Sequence, residues 1–134
     1  MSAPLFHLFG AAPTPVAPYS HAVEADGWVF LTGQIPTEPG EGDEAAVPDG
    51  IEAQTRRTMD NLVIVLEELG LDLGHVVAAR VFLARFEEDY DAMNAVYRSY
   101  FAADRLPART CIGVTALARG VRVEIDFIAR RPGI

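Results

Sequence analysis

Between residues 106 and 131 the chain reads LPARTCIGVTALARGVRVEIDFIARR, which sets Arg109, Glu124 and Asp126 inside an apolar alternation. An arginine offers a planar fork that grips a carboxylate through two parallel hydrogen bonds, and a carboxylate in apolar surroundings can serve as a general base. Together they could hold a small organic acid and activate water against it. The plain alternative is a diagonal ion pair between Arg109 and Asp126 or Glu124 on a solvated face, the commoner arrangement for an isolated strand pair. The residue pattern alone leaves both open.

The segment reads as a closing hairpin. Val121, Val123, Ile125 and Phe127 point to a core, while Arg122, Glu124, Asp126 and Ile128 point away. A two-residue turn at Ala118-Arg119 sets Ile112 opposite Ile125, Val114 opposite Val123 and Gly113 opposite Glu124. This register puts Arg109, Cys111, Gly113, Glu124 and Asp126 on one face, away from any helices. Gly113, lacking a side chain, leaves room beside the Glu124 carboxylate for a small molecule or a water.

Other elements must position that face. HAVEADGWVFLTGQIP predicts two strands joined at Asp26-Gly27, a strong hairpin dipeptide. The acidic, Gly- and Pro-rich stretch 37–50 reads as a mobile loop. Asp49 and Glu52 form a capping-box pattern ahead of a helix over 50–69, in which Ile51, Thr55, Met59, Leu62, Val63, Leu66 and Leu69 recur at helical spacing and Gly70 caps the end. The β-branched run at 75–84 predicts a buried strand. A second helix follows, with Glu87, Glu88, Asp89 and Asp91 at its start and Tyr90, Met93, Val96, Tyr97, Tyr100 and Phe101 on its packed face. The order is β-β-α-β-α-β-β: an α+β chain with a mixed sheet and both helices on one face. Two helices cover only one face, so the other is expected to meet another copy of the chain.

The 134 residues suit a single domain, 1–134, with residues 1–16 as an N-terminal extension. No apolar run approaches the roughly 20 residues of a membrane span, and the N-terminus has no basic n-region, so a cytoplasmic protein is expected. The single cysteine excludes an intrachain disulfide, and the formal charge of -8 argues against nucleic acid as a partner. All eleven basic residues are arginine, which removes Schiff-base and pyridoxal-phosphate chemistry.

Among the remaining candidates, Tyr19 follows Pro18 at a strand entrance, where half-buried packing is the ordinary role. His7, His21 and His75 lack paired spacing, so no metal site is expected. His21 points as Tyr19 does and is within reach of a cleft entrance, but Ser20-His21 is no catalytic triad. A lone Cys111 most often acts as a small hydrophobe.

GQIP after an apolar strand, PARTC opening the penultimate strand and VEIDFIA in the last one resemble the RidA (YjgF-type) family of enamine/imine deaminases. The resemblance runs from about Pro18 to Arg130. It implies the chorismate-mutase-like RidA fold and a homotrimer with a barrel-like core and a ligand cleft at each subunit interface. It places the carboxylate-binding arginine on Arg109, the water-holding glutamate on Glu124, the cleft tyrosine on Tyr19, a small hydroxyl residue on Thr32 beside Gly33, and a cleft-lining backbone on Cys111. The implied activity is metabolite damage control: hydrolysis of 2-iminopropanoate or 2-iminobutanoate to the 2-oxo acid and ammonia, with no cofactor. The alternatives it leaves are a bulkier substrate such as an aminomuconate-like acid, or a non-catalytic trimer that binds 2-oxo acids. RNA cleavage, also attached to this family, fits the acidic charge least. Thr32, Gly113 and the long 37–50 loop are this chain's departures from the family pattern. Because four residues of strand span about 13 Å, Arg109 and Glu124 share a small substrate only by leaning together or by coming from neighbouring subunits.

Overall fold

The computed structural model describes residues 3–40 and 42–133. Eight elements follow one another: β1 (Leu5–His7), β2 (Ala22–Ala25), β3 (Trp28–Gln34), α1 (Ile51–Glu68), β4 (Val76–Leu83), α2 (Phe86–Arg98), β5 (Ala108–Gly113) and β6 (Val123–Arg130). The strands form a six-stranded sheet in the order β1-β2-β3-β6-β4-β5, antiparallel except where β5 runs parallel to β4. The expected order is therefore present, with β1 added from the N-terminal segment; residues 1 and 2 of that segment and residue 41 of the loop lie outside the described residues.

Local chemistry accounts for most boundaries. Asp26 and Gly27 take φ of 51° and 84°, the paired left-handed values that a tight two-residue hairpin requires. At the end of α1, Gly70 has φ 73°, and the Gly70 and Leu71 N–H groups donate to the carbonyls of Glu67 and Leu66, which closes the helix in a Schellman motif. The start differs from expectation: the N-cap is Gly50 and no side chain caps it, so Asp49 and Glu52 form no capping box. A capping box does occur at a short 3-10 turn before β4, where Gly74 N–H donates to Asp72 Oδ1 and Asp72 N–H to His75 Nδ1.

Both helices lie on one face of the sheet. Met59, Leu62, Val65, Leu66 and Met93 bury their side chains there against Val29, Leu31, Val81, Leu83, Val123, Ile125 and Phe127. The opposite face leaves Trp28, Phe30 and Ile112 between 44% and 47% exposed. Among the described residues, no helix is long and apolar enough to cross a membrane.

The closing hairpin is not formed. β6 pairs with β3 on one side and β4 on the other, and β5 lies beyond β4 at the sheet edge. The reason is topological: β4, α2 and β5 make a β-α-β crossover, which aligns its strands in parallel, and β6 then enters the gap between β3 and β4. The connection over residues 114–122 carries a 3-10 turn at Ala118–Gly120 and is no two-residue turn. The burial of the two strands shows the same thing. β6 alternates buried and half-buried along its length, as a central strand does, whereas β5 is largely exposed.

The described residues of the 37–50 loop are tied to the body at several points. Asn61 Nδ2 donates to the carbonyls of Ile35 and Thr37 at 3.0 and 2.9 Å, Glu38 N–H to Ala46 O at 3.0 Å, and Arg119 Nη1 to Ala45 O at 2.7 Å. Ala45 is buried beneath these bonds. Polar side chains arriving from α1 and from the β5–β6 connection replace the hydrophobic period that the loop lacks.

Candidate active site

The sheet register fixes where each candidate side chain points. Arg109 lies opposite Ala79, which is buried under the helices, so Arg109 sits on the helix-covered face. Its Nη1 donates to Asn94 Oδ1 at 2.7 Å and its guanidinium carbon stacks 4.9 Å from the Tyr97 ring centroid, both partners being on α2. No carboxylate pairs with Arg109 among the described residues. The guanidinium borders a cleft of about 320 Å³ lined by Tyr90, Asn94, Tyr97 and Leu106. Gly113 faces the same way, since a Cβ there would stand 3.1 Å from Phe86 Cβ of α2.

Glu124 and Asp126 point to the open face. Asp126 lies directly across from Arg80, and Glu124 across from Phe82. The expected common face for Arg109, Cys111, Gly113, Glu124 and Asp126 is therefore corrected: the first three share the helix side and the two acids the other. The hairpin assumption caused the error, because it set the faces of β5 and β6 from a direct pairing that does not exist. The alternative ion pair fails for the same reason, and Asp126 is held instead by Arg80 through three hydrogen bonds of 3.1, 3.1 and 2.7 Å.

The glycine that meets Glu124 is Gly33. Leu31 pairs with Phe127 and Gln34 with Ile125, so Thr32 and Gly33 together oppose Asp126 in a β-bulge. A Cβ on Gly33 would overlap Glu124 Oε2. Absence of that atom lets the carboxylate lie against the backbone of β3. Burial, then the neighbouring Asp126 charge, pushes the Glu124 carboxyl above its ordinary range, and Arg80 partly offsets this. Among the described residues its oxygens accept no hydrogen bond, so the group is a half-buried acid with free lone pairs.

The other candidates divide. Cys111 sits between Arg109 and the core, and burial raises its thiol pKa while Arg109 opposes the rise, a setting that favours the protonated, unreactive thiol. Tyr19 is 36% exposed and its hydroxyl accepts the Val16 N–H at 3.1 Å. His21 is buried: Phe9 N–H donates to its Nδ1 at 2.9 Å and its Nε2 donates to Pro13 O at 2.7 Å, which assigns it to anchoring the N-terminal segment. Among the described residues no group of three His, Cys, Asp or Glu could hold a metal ion.

Asn94, Tyr97 and Arg80 escape a sequence reading that looks only within one hairpin. Asn94 and Tyr97 are three apart on α2, hence on one helical face, and a β-α-β reading of 76–113 would have set that face against β5. Arg80 stands mid-strand, where its partner depends on which strand lies alongside.

Residues 9–131 match the family model described as Endoribonuclease L-PSP. The RutC family protein slr0709 of Synechocystis is 39% identical over 90% of this chain and 92% of its own. The mouse 2-iminobutanoate/2-iminopropanoate deaminase is 38% identical over 88% and 84%. Among solved structures, E. coli TdcF with bound serine superposes with a TM-score of 0.85 at 29% identity, covering 95% of this chain and 98% of that one. Two helices on a mixed six-stranded sheet, a match to the family model across nearly the whole chain and relatives well above 30% identity all agree, and the chain belongs to the Endoribonuclease L-PSP family of YjgF/RidA proteins.

Proposed function

We propose that the protein hydrolyses small 2-imino acids, 2-iminopropanoate and 2-iminobutanoate, to 2-oxo acids and ammonia. One observation carries this reading: among the described residues, a cation without a carboxylate partner beside a cleft, Arg109, and a half-buried acid without a hydrogen-bond donor, Glu124, occur in one small chain. The deaminase name of the mouse relative and the serine bound to TdcF support a substrate the size of a small amino acid.

The two groups cannot act on one such molecule within a protomer. They stand on opposite faces, and β4 lies between their strands, a lateral separation of about 9–10 Å. The proposal therefore joins Arg109 of one protomer to Glu124 of the next in a homotrimer in which the β5 edge of one sheet, which carries Arg109, meets the open face of its neighbour. Exposed Trp28, Phe30 and Ile112 support burial of that face.

In this reading Arg109 grips the substrate carboxylate, with Asn94 and the Tyr97 ring holding the guanidinium plane. Glu124 takes a proton from water as the oxygen bonds to C2 of the imine, then returns it to nitrogen. The carbinolamine hydroxyl then passes its proton through Glu124 to the amine nitrogen, the C–N bond breaks with its electron pair on nitrogen, and ammonia leaves as the C2 carbonyl forms. No electrons are exchanged with a cofactor. A carboxyl pushed above its usual range suits both halves of that transfer. Thr32 and Gly33 border the carboxylate, and Tyr19 and the Cys111 backbone complete the cleft wall from the two protomers.

The test generates 2-iminobutanoate in situ, traps it with semicarbazide and measures how far the protein lowers trapping. Arg109→Ala is expected to reduce kcat/KM by about 100-fold or more while the fold persists. Glu124→Gln is expected to abolish turnover but keep 2-oxobutanoate binding. Full activity in either variant would remove that residue from the mechanism.

A further inference from the structure

Glu124 and Asp126 are two carboxylates on one strand face, about 7 Å apart along β6, and the chain treats them differently. Asp126 is clamped by the fork of Arg80 at 2.7–3.1 Å, whereas Glu124 receives no donor from the described residues and lies against Gly33. We infer that the Arg80–Asp126 pair is a positioning pair for Glu124: it holds a fixed anion and a fixed cation beside the working carboxylate and so sets which protonation state that carboxylate carries. This rests on the hydrolytic reading for its consequence in turnover, but not for its effect on Glu124 itself.

Three features support it. Arg80 of β4 is in direct cross-strand register with Asp126 of β6, so the pair's place beside Glu124 is fixed by backbone pairing and not by a mobile loop. Arg80 also stacks over Phe82, 5.7 Å from the ring centroid, and Phe82 is the residue directly across from Glu124. Its guanidinium therefore lies over the side chain that stands across from Glu124. Among the described residues the other cross-strand neighbours are uncharged: Phe82 on β4, Ile112 beyond it on β5, and Thr32 and Gly33 on β3. Asp126 and Arg80 are thus the charges that face Glu124, and they act with opposite sign.

That opposition makes the test specific. Removing the anion with Asp126→Asn leaves Arg80 uncompensated and should make Glu124 more acidic. Removing the cation with Arg80→Met leaves Asp126 uncompensated and should make it less acidic. Side-chain carboxyl carbons of the 13C-glutamate-labelled full-length protein are titrated by NMR, with the Glu124 signal assigned by its loss in Glu124→Gln. Displacements of opposite direction, each at least about half a pH unit, are expected, and Arg80→Lys should restore part of the wild-type position. The acid limb of kcat/KM for 2-iminobutanoate should move in the same two directions. Opposite NMR displacements in a protein that hydrolyses no imine would uphold the pair and refute the hydrolytic reading. Glu124 titrating unchanged in both variants, or moving the same way in both, overturns the inference whatever the activity.

Discussion

Two arginine–aspartate forks brace this sheet, one on each face, and their surroundings differ. Under the helices, Arg122 Nε and Nη2 reach Asp89 at 2.9 and 2.5 Å, with Asp89 side chain 1% exposed and Arg122 23%. On the open face, Arg80 reaches Asp126 with similar geometry, but Arg80 is 67% exposed and Asp126 14%. The buried fork sits in a polar knot. Gln54 Oε1 accepts the Arg122 N–H at 2.8 Å while Gln54 Nε2 donates to Pro48 O, and the Arg122 carbonyl accepts from Ala84 N–H at 3.1 Å. One residue thereby ties α1, α2, the start of β6 and the end of β4. Equal hydrogen-bond geometry does not mean equal worth: desolvation makes the buried pair indispensable once built, and solvent makes the exposed one nearly neutral for stability.

The largest expected effect follows from that contrast. Asp89→Ala removes the buried carboxylate that Arg122 grips and leaves only the Glu88 Oε2 contact at 2.7 Å on a 60% exposed side chain; it is expected to lower stability by about 2–4 kcal/mol, whereas Asp126→Asn should change it by less than about 1 kcal/mol. Parallel denaturant titrations of the two variants measure both. Equal losses would break the comparison and place the exposed fork among the structural ties.

Gly33→Ala sharpens the comparison from the side of activity. The new Cβ overlaps the Glu124 carboxylate, which can yield only by swinging off β3. Because the displaced atoms are the end of a side chain on a half-exposed face, the fold should survive with a loss of about 1 kcal/mol or less, while imine turnover falls about 10-fold or more. Wild-type turnover in this variant would show that the resting place of Glu124 is irrelevant to the chemistry.

How much of this was legible in the sequence varies with what carries the signal. The Asp26-Gly27 turn, the α1 stripe ending at Gly70 and the strand at 76–83 are written in local chemistry, and a reader needs only neighbouring residues to find them. Strand order is not local. Residues 106–131 alternate convincingly enough to suggest a hairpin, yet the partners of β6 are β3 and β4, whose paired residues lie forty or more positions away. That single misplacement put Arg109 on the wrong face. Asp89 shows the same limit, since an acid in the first turn of a helix reads as dipole compensation until Arg122 is found against it. The charges of Arg109 and Glu124 stand out within the alternation, but the face each takes, and the contact of Glu124 with Gly33, depend on strand order.

A third fork tests whether burial alone grades these pairs. Arg131 Nε and Nη2 grip Glu24 at 2.7 Å each, Arg131 Nη1 donates to Leu69 O at 2.9 Å, and His7 Nε2 lies 3.0 Å from the same carboxylate. Exposures of 11% for Glu24 and 30% for Arg131 put it between the other two. The Arg131 hydrogen bond holds the Glu24 carboxyl below its ordinary value of 4.5, with His7 adding to it and burial opposing. A carboxylate depressed in the folded state stabilises fully above its unfolded pKa and loses that contribution as pH falls through the folded one. Stability should therefore decline on acidification below about pH 4.5, and Glu24→Gln should remove that part of the decline. At neutral pH the variant should be weaker by about 1–2 kcal/mol, between Asp89→Ala and Asp126→Asn. Thermal melts of wild type and variant from pH 7 to pH 3 read both quantities. Converging curves at low pH are the expected result; curves that stay parallel would mean that the C-terminal tie does not depend on the Glu24 charge, and that burial is the wrong scale for ordering the three forks.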